Sequence, residues 1–339
     1  MTNIRAVSKL AGVSVATVSR ALQKPEVVSE NTRKKVEAAA IEAGYKPNMM
    51  ARNFRSKKSY AIMVLVDDIS NPFYSKVISG IQKAAKRRGY NIILGNTMGD
   101  SDLERELANM FNTNQSDGII QLSAHWPLDA RDLKADTLLP VINCCECVDD
   151  DSMPTVMLDN KGAAKAMTNH LIQLGHSRIA VVTGPAKSPL TVARLQGYKE
   201  ALQEAGLNFE PSLHMVGDYT MACGKKAAGA LLANANPPTA IFSFNDEMAI
   251  GAIQRIKQDG FSVPGDISVA GFDNLEFASY TDPPLTTISQ PYEEFGSTAI
   301  ALMFEILDGS EKRRRHRTLP FELVIRDSTA PVRGFGSQR

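Results

Sequence analysis

The twelve residues Ala11-Gly12-Val13-Ser14-Val15-Ala16-Thr17-Val18-Ser19-Arg20-Ala21-Leu22 decide how the chain begins. Gly12 ends the helical spacing of Val7, Leu10 and Ala11, and Ser14 is a good N-cap for the run that follows. In that run Val18, Ala21 and Leu22 share one face, while Val15, Ala16, Ser19 and Arg20 fall largely on the other. Pro25 stops it. Ser29 then caps a third helix through Ala43, which closes at Gly44 with Tyr45 folding back over the core. Two helices joined by a short Gly turn, the second presenting small side chains, form the shape that enters a DNA major groove. A plain three-helix mini-core would use the same apolar spacing.

Charge separates this head from the rest. Residues 1–60 hold twelve Lys or Arg and four Glu, a surplus of eight, whereas the whole chain carries +1. A basic head on a mildly acidic body is the electrostatic footprint of a nucleic-acid-binding module, or else a solvated basic arm. With 339 residues, 43% hydrophobic and 22% charged, the chain has room for two or three domains and is neither fibrous nor disordered. Met1-Thr2-Asn3-Ile4-Arg5 opens no apolar signal segment, and the purest apolar strand, Ala61 to Val66, is far too short for a bilayer. Cys144 and Cys147 stand at C-x-x-C spacing, but with Cys145 and Cys223 they make no second ligand pair, so free thiols and a cytoplasmic location are expected. Secretion and membrane association are not.

From Tyr60 onward, short apolar strands alternate with helical stretches. Ala61–Val66, Asn91–Leu94, Gly118–Leu122 and Val141–Asn143 alternate with helices at Phe73–Arg88 and Asp102–Thr113. The pattern restarts with helix Gly162–Leu174, strand Ile179–Val182 and helix Ala193–Ala205. Strand Ala240–Phe242, helix Met248–Gln258 and strand Ser268–Ala270 follow. This predicts an α/β chain: an all-α head, then two doubly wound parallel-sheet subdomains with a ligand site at strand carboxyl ends where the halves meet. The expected organisation is residues 1–46 as helix-turn-helix domain, 47–58 as linker, 59–330 as body with crossovers near 159 and 290, and 331–339 as tail.

The opening twelve residues resemble the signature of the LacI/GalR family of bacterial repressors, and Val28-Ser29, Thr32-Arg33, Val36 and Ala43-Gly44-Tyr45-Lys46-Pro47-Asn48 are similar to the same head. The resemblance implies a transcriptional repressor, with a body like that of the periplasmic sugar-binding proteins. Val15 and Ala16 would face base edges, where they can touch only thymine methyls or C–H edges, and Arg20 would read guanine. Ser14, Thr17 and Ser19 would hold phosphates. Asn48, Ala51 and Phe54 would belong to a hinge helix that folds on DNA, with Phe54 where well-known members carry Leu, a side chain able to wedge into the minor groove. One departure from the family's Asp-Val-Ala is Ala6-Val7-Ser8.

The same resemblance covers the body. Asp68-Ile69-Ser70-Asn71-Pro72-Phe73-Tyr74, Arg194-Leu195-Gln196-Gly197-Tyr198, Gly217-Asp218-Tyr219, Asn245-Asp246-Glu247 and Gly271-Phe272-Asp273-Asn274 match strand-end motifs. By resemblance Arg194 and Asp273 grip polar groups of an effector, and Phe73, Tyr74 and Tyr219 stack on its ring. Read as plain structure, Arg194 is a surface ion pair and the rings are core. Asn245 and Asp246 match a polar strand-end pair of the pocket, though an Asn-Asp before a helix is also a good cap. Ser188-Pro189-Leu190, Gly217-Asp218-Tyr219-Thr220 and Asp282-Pro283-Pro284-Leu285 look most like the cytidine-repressor branch. A nucleoside inducer is therefore expected, with a sugar or sugar phosphate as the alternative.

Enzyme readings lack parts. Asp149-Asp150-Asp151 has no ligand-loop spacing, the five histidines are scattered, and Gly334-Phe335-Gly336 is no dinucleotide loop. No catalytic residue, metal or cofactor is expected, and a solute-binding protein or nucleoside-processing enzyme is the remote alternative. The expected partners are a double-stranded, pseudo-palindromic operator, a small-molecule effector and a second copy of the chain, since each head reads one half-site. The tail has no Leu heptad for a coiled-coil tetramer.

Overall fold

The computed structural model describes residues 3–23, 25–45, 58–124, 127–128, 139–146, 153–310 and 316–332. Asn48, Ala51 and Phe54 lie outside the described residues, as do Asp149, Asp150, Asp151 and the last seven residues of the tail. The chain divides into two compact units, Met1–Ser59 and Tyr60–Arg339.

The head holds three helices, α1 (Ile4–Ala11), α2 (Val15–Gln23) and α3 (Glu30–Glu42). Asn3 caps α1, accepting from the amides of Arg5 and Ala6, and so supplies at the helix start what the missing acid does not. Gly12 closes α1 with φ of 64°, the left-handed conformation glycine tolerates best. The departing residue Ser8 contributes to the turn, donating from its hydroxyl to the Val13 carbonyl at 2.6 Å. Ser14 caps α2 through the Thr17 amide at 3.1 Å, and Ser29 caps α3 through the Thr32 amide. Val7, Val18, Ala21, Val36, Ala39 and Ala40 form the core, with Tyr45 packed against it.

The body begins with β1 (Ala61–Val66), α4 (Pro72–Arg87), β2 (Asn91–Asn96), α5 (Ser101–Asn112), β3 (Gly118–Gln121), β4 (Val141–Cys144) and β5 (Thr155–Leu158). It continues with α6 (Asn160–Gln173), β6 (Ile179–Thr183), α7 (Pro189–Glu204), β7 (His214–Val216), α8 (Met221–Leu232), β8 (Ala240–Ser243), α9 (Asp246–Gln258) and β9 (Ser268–Ala270). Last come β10 (Thr287–Ser289), α10 (Tyr292–Leu307), β11 (His316–Leu319) and β12 (Glu322–Val324).

One subdomain is built on a six-stranded parallel sheet ordered β11-β5-β4-β3-β1-β2, the other on a four-stranded parallel sheet ordered β7-β6-β8-β9. Every residue of β1 is buried because both faces of its sheet are covered. Ile62, Val64 and Val66 face the main core, and Met63 and Leu65 a second cluster beneath α5. In the other subdomain α8 and α9 touch backbone to backbone. A Cβ on Gly224 would stand 2.0 Å from the Met248 carbonyl oxygen, and one on Gly251 2.0 Å from that of Met221.

The chain passes between subdomains three times. It leaves the six-stranded sheet after β5, returns through Gln290-Pro291 into α10 and β11, and leaves again into β12, which pairs with β10. The third passage was not expected from sequence, where the basic run from Lys312 reads as a turn; His316 and Arg317 instead begin β11, an edge strand beside β5. Among the described residues no helix is long and apolar enough to cross a membrane.

Candidate functional site

Two surfaces carry the expected residues. On the head, α2 turns Val18 and Ala21 inward and leaves Ser14, Val15, Ala16 and Arg20 exposed, Val15 at 40%. Thr17 and Ser19 are half-buried, and the Thr17 hydroxyl lies 2.9 Å from that of Ser14. These two hydroxyls already share a hydrogen bond beside an exposed apolar step and a free-standing arginine head group.

In the body, strand carboxyl ends converge from both sheets. After β1, Asp68 ties its own turn by accepting from the Ser70 amide and hydroxyl at 2.8 and 2.7 Å. Asn71 then caps α4 through the Phe73 amide, with Pro72 in the first turn. That turn presents Phe73 and Tyr74, whose rings meet edge to face at 5.3 Å. Phe73 meets Tyr292, at the start of α10, in the same manner at 5.6 Å, and the Tyr292 hydroxyl donates to the Asp273 carbonyl.

Arg194 is not on the surface. It is 3% exposed, its Nε donating to Asn160 Oδ1 at 2.9 Å and its Nη1 to the Phe244 carbonyl at 2.5 Å. Its guanidinium carbon lies 3.7 Å from the centroid of the Phe272 ring. The plane of the group is therefore fixed from three sides, with donors left over. Asp273, 6% exposed, accepts from Gln290 Nε2 at 2.7 Å. Burial pushes its carboxyl up to about 7, against the pull of the Arg194 charge and the Gln290 hydrogen bond.

Tyr219 follows β7 with φ of 69°, its hydroxyl 3.1 Å from that of Thr191 on α7. Its ring covers Gly184 at the end of β6, where a Cβ would lie 2.1 Å from Tyr219 Cζ. Left-handed backbone recurs at these strand ends, at Cys145 with φ of 75° and Asp273 with φ of 113°. Such strain in non-glycine residues is held only where surrounding contacts over-determine it.

Asn245 and Asp246, expected in the pocket, also have the partners that a helix cap would give them. Asn245 Oδ1 caps α9 through the Met248 amide and its Nδ2 donates to the Tyr219 carbonyl at 2.8 Å. Asp246 is fully buried, one oxygen accepting from the Thr287 hydroxyl at 2.6 Å and the other from the Leu275 amide at 2.7 Å. Both residues spend their polar atoms on positioning Tyr219 and the loop that carries Asp273. Burial and the nearby Asp273 charge hold the Asp246 carboxyl well above the usual range.

Sequence reasoning missed Glu146, Tyr292, Asn160, Phe272 and Gln290. Glu146 stands two residues past β4, and its Oε2 is sealed from solvent with no hydrogen-bond partner among the described residues. Burial pushes its carboxyl up to about 7, eased by Arg194 and aggravated by Asp67. Tyr74 is held well above the ordinary tyrosine range by burial and then by the Glu146 and Asp67 charges. The signal available was position: Glu146 follows a predicted strand, as Asp68 and Asp273 do. Cys144 and Cys145 are free, buried thiols with sulfurs 3.7 Å apart.

Comparison with known proteins finds relatives for both units. Residues 3–48 match the family of bacterial regulatory proteins, lacI family, and residues 168–329 match the periplasmic binding protein-like domain. The HTH-type transcriptional repressor CytR of Escherichia coli (strain K12) is 40% identical over 319 residues, covering 94% of each chain. The lac repressor dimer bound to operator and the anti-inducer ONPF superposes with a TM-score of 0.84 at 29% identity, covering 97% of this chain and 99% of that one. The complex of the transcriptional regulator CelR with cellobiose gives 0.72 at 29% identity, covering 97% and 100%.

Proposed function

The chain belongs to the LacI family of bacterial regulatory proteins and is a ligand-responsive transcriptional repressor rather than an enzyme, and we propose that it binds a pseudo-palindromic operator as a homodimer and is released by a nucleoside such as cytidine. The observation that carries the effector half is the buried Arg194, clamped flat on Phe272, sharing one cleft with Asp273 and the rings of Phe73, Tyr74 and Tyr219. Oriented charged groups beside stacked rings suit a planar base joined to a hydroxylated ring. The likeness to CytR favours the nucleoside. A sugar or sugar phosphate is the second reading, supported by the likeness to a regulator bound to cellobiose.

On the DNA side, Val15, Ala16 and Arg20 read base edges, Ser14, Thr17 and Ser19 hold phosphates, and the 47–58 segment with Asn48, Ala51 and Phe54 acts as hinge helix. One head covers one half-site, which is why the dimer is needed. The cytoplasm, where the operator lies, is the proposed location. Effector and operator are coupled by linkage: a ligand that prefers the DNA-incompetent arrangement of the two subdomains lowers operator affinity by its preference ratio.

Thermal unfolding with cytidine, other nucleosides, purine bases, sugars and sugar phosphates tests the effector, followed by operator titration with whichever binds. A nucleoside at about 100 times its Kd should add roughly 2.7 kcal/mol to stability and weaken operator binding. A sugar-only shift would reassign the effector, and a ligand that tightens operator binding would make it a corepressor. Arg20→Ala should cost about 1–3 kcal/mol on the operator and relax base choice. Equal loss on operator and random DNA would reduce Arg20 to a phosphate contact.

A further inference from the structure

We propose that Glu146 reads the effector directly, its Oε2 accepting a hydrogen bond from a ligand donor, and that the cleft takes a neutral, donor-rich molecule and rejects the phosphate ester of the same molecule. The identity of the ligand rests on the nucleoside reading above; its charge does not.

The first support is the orphaned oxygen. A buried carboxylate oxygen without a donor is costly, and native proteins keep one where a ligand completes it. Glu146 shares its surroundings with Arg194 and Asp67 and lies close enough to Tyr74 to hold its proton on, which sets it among the groups of the cleft rather than behind them.

The second support is charge. Glu146 and Asp273 both face one buried guanidinium, with Asp67 beside Glu146, and its Nε and Nη1 are already committed to Asn160 and the Phe244 carbonyl. Arg326, on the far side of Asp246, donates to the Leu285 carbonyl and to Asn274 Oδ1, each at 2.7 Å. Lys76 stands over the Tyr292 ring, 5.0 Å from its centroid.

Helix N-termini are the other usual seats for a phosphate, and those of α4, α7 and α9 each have one amide taken by a side chain, whereas α10 has no side-chain cap. Asn71 occupies the start of α4, Ser188 that of α7 and Asn245 that of α9. A phosphate would meet acceptors on the wall and, at α4, α7 and α9, amides already partly engaged. The hydroxyls and amino group of a nucleoside would meet the acceptors they need.

Calorimetric titration of the full chain tests this with two pairs of probes, cytidine against cytidine 5′-monophosphate and ribose against ribose 5-phosphate. In whichever pair binds, the unphosphorylated member should bind roughly 100-fold tighter or more. Glu146→Gln, which keeps the shape of the side chain, should weaken that member about 10- to 100-fold, and Glu146→Asp should weaken it too. Folding of each variant is read from its unliganded melting curve, so loss of affinity is not mistaken for unfolding. A phosphate ester binding as tightly as its parent, or both variants holding affinity within about twofold of wild type, overturns the proposal. Binding of ribose without cytidine would remove the nucleoside reading while the ribose pair still judges Glu146. Silence of all four probes would overturn both.

Discussion

The four-stranded sheet of the body has two ends of opposite character. At its amino end His176 lies buried with both ring nitrogens engaged, Nδ1 2.9 Å from the Thr239 hydroxyl and Nε2 3.0 Å from the Ala330 carbonyl and 3.1 Å from the Ser268 hydroxyl. A carbonyl only accepts, so the proton sits on Nε2 and Nδ1 accepts from Thr239. Ser328 continues the seam, its carbonyl accepting from the Val269 amide and its hydroxyl donating to the Val269 carbonyl and accepting from the Thr286 amide. At the carboxyl end acids crowd together, an oxygen of Glu146 finds no partner among the described residues, and backbone turns left-handed at Tyr219 and Asp273. One end is finished as structure; the other is left incomplete, as a site that a ligand completes must be.

Arg194 should be the costliest residue to lose at the incomplete end. It is the cation that favours ionisation of both Asp273 and Glu146, and its removal leaves two buried carboxyls without their counter-charge. Arg194→Met should lower unfolding free energy by about 3–5 kcal/mol in denaturant titrations near neutral pH. A loss below about 1 kcal/mol would mean the acids do not lean on it, and the contrast between the two ends would be weaker than drawn.

Asp273→Asn probes the same end in the opposite sense. A carboxyl raised from 3.8 to about 7 binds its proton more readily folded than unfolded, so its contribution to stability is complete below about pH 4 and is lost as pH rises toward 7. Asparagine carries no such loss. The variant should therefore gain on wild type as pH rises from 5 to 8, by about 1–3 kcal/mol, while its response to effector disappears. Melting curves across that pH range, with and without ligand, show both. A normal ligand response would take Asp273 out of the site, whatever happens to stability.

How much of this was legible in the sequence follows the distances along the chain. In the head, twelve consecutive residues contain turn, cap and both helix faces, so periodicity alone separates Val18 and Ala21 from Val15, Ala16 and Arg20. The cleft is assembled from the ends of β1, β4, β7 and β9, and no local pattern states which strands become neighbours. Resemblance supplied Arg194 and Asp273; it did not supply Glu146, which follows a strand whose place in the sheet only the topology reveals. Asn245 and Asp246 were ambiguous for a chemical reason, since the side chains that bind ligands are those that cap helices. The edge strand β11 was missed because three of its four residues, His316, Arg317 and Thr318, are polar and one face of it stays open.

His176 sharpens the contrast with the smallest effect. Burial lowers its pKa below the ordinary 6.5, against a smaller opposing pull from the Ala330 carbonyl. A histidine depressed in the folded state contributes stability that is complete above about pH 6.5 and is lost as pH falls, because the unfolded chain takes the proton first. The slope is opposite in sign to that of Asp273. Replacing His176 by Gln should cost about 1 kcal/mol at pH 8, where a neutral ring and its hydrogen bonds are intact. The gap between wild type and variant should then close as the solution is acidified from pH 7 toward 5, since only wild type has a proton to refuse. His170, also depressed by burial, is present in both proteins and drops out of the difference. A gap that widens on acidification would mean the protonated ring keeps its partners, and the amino end of the sheet would then be as adaptable to charge as the cleft opposite it.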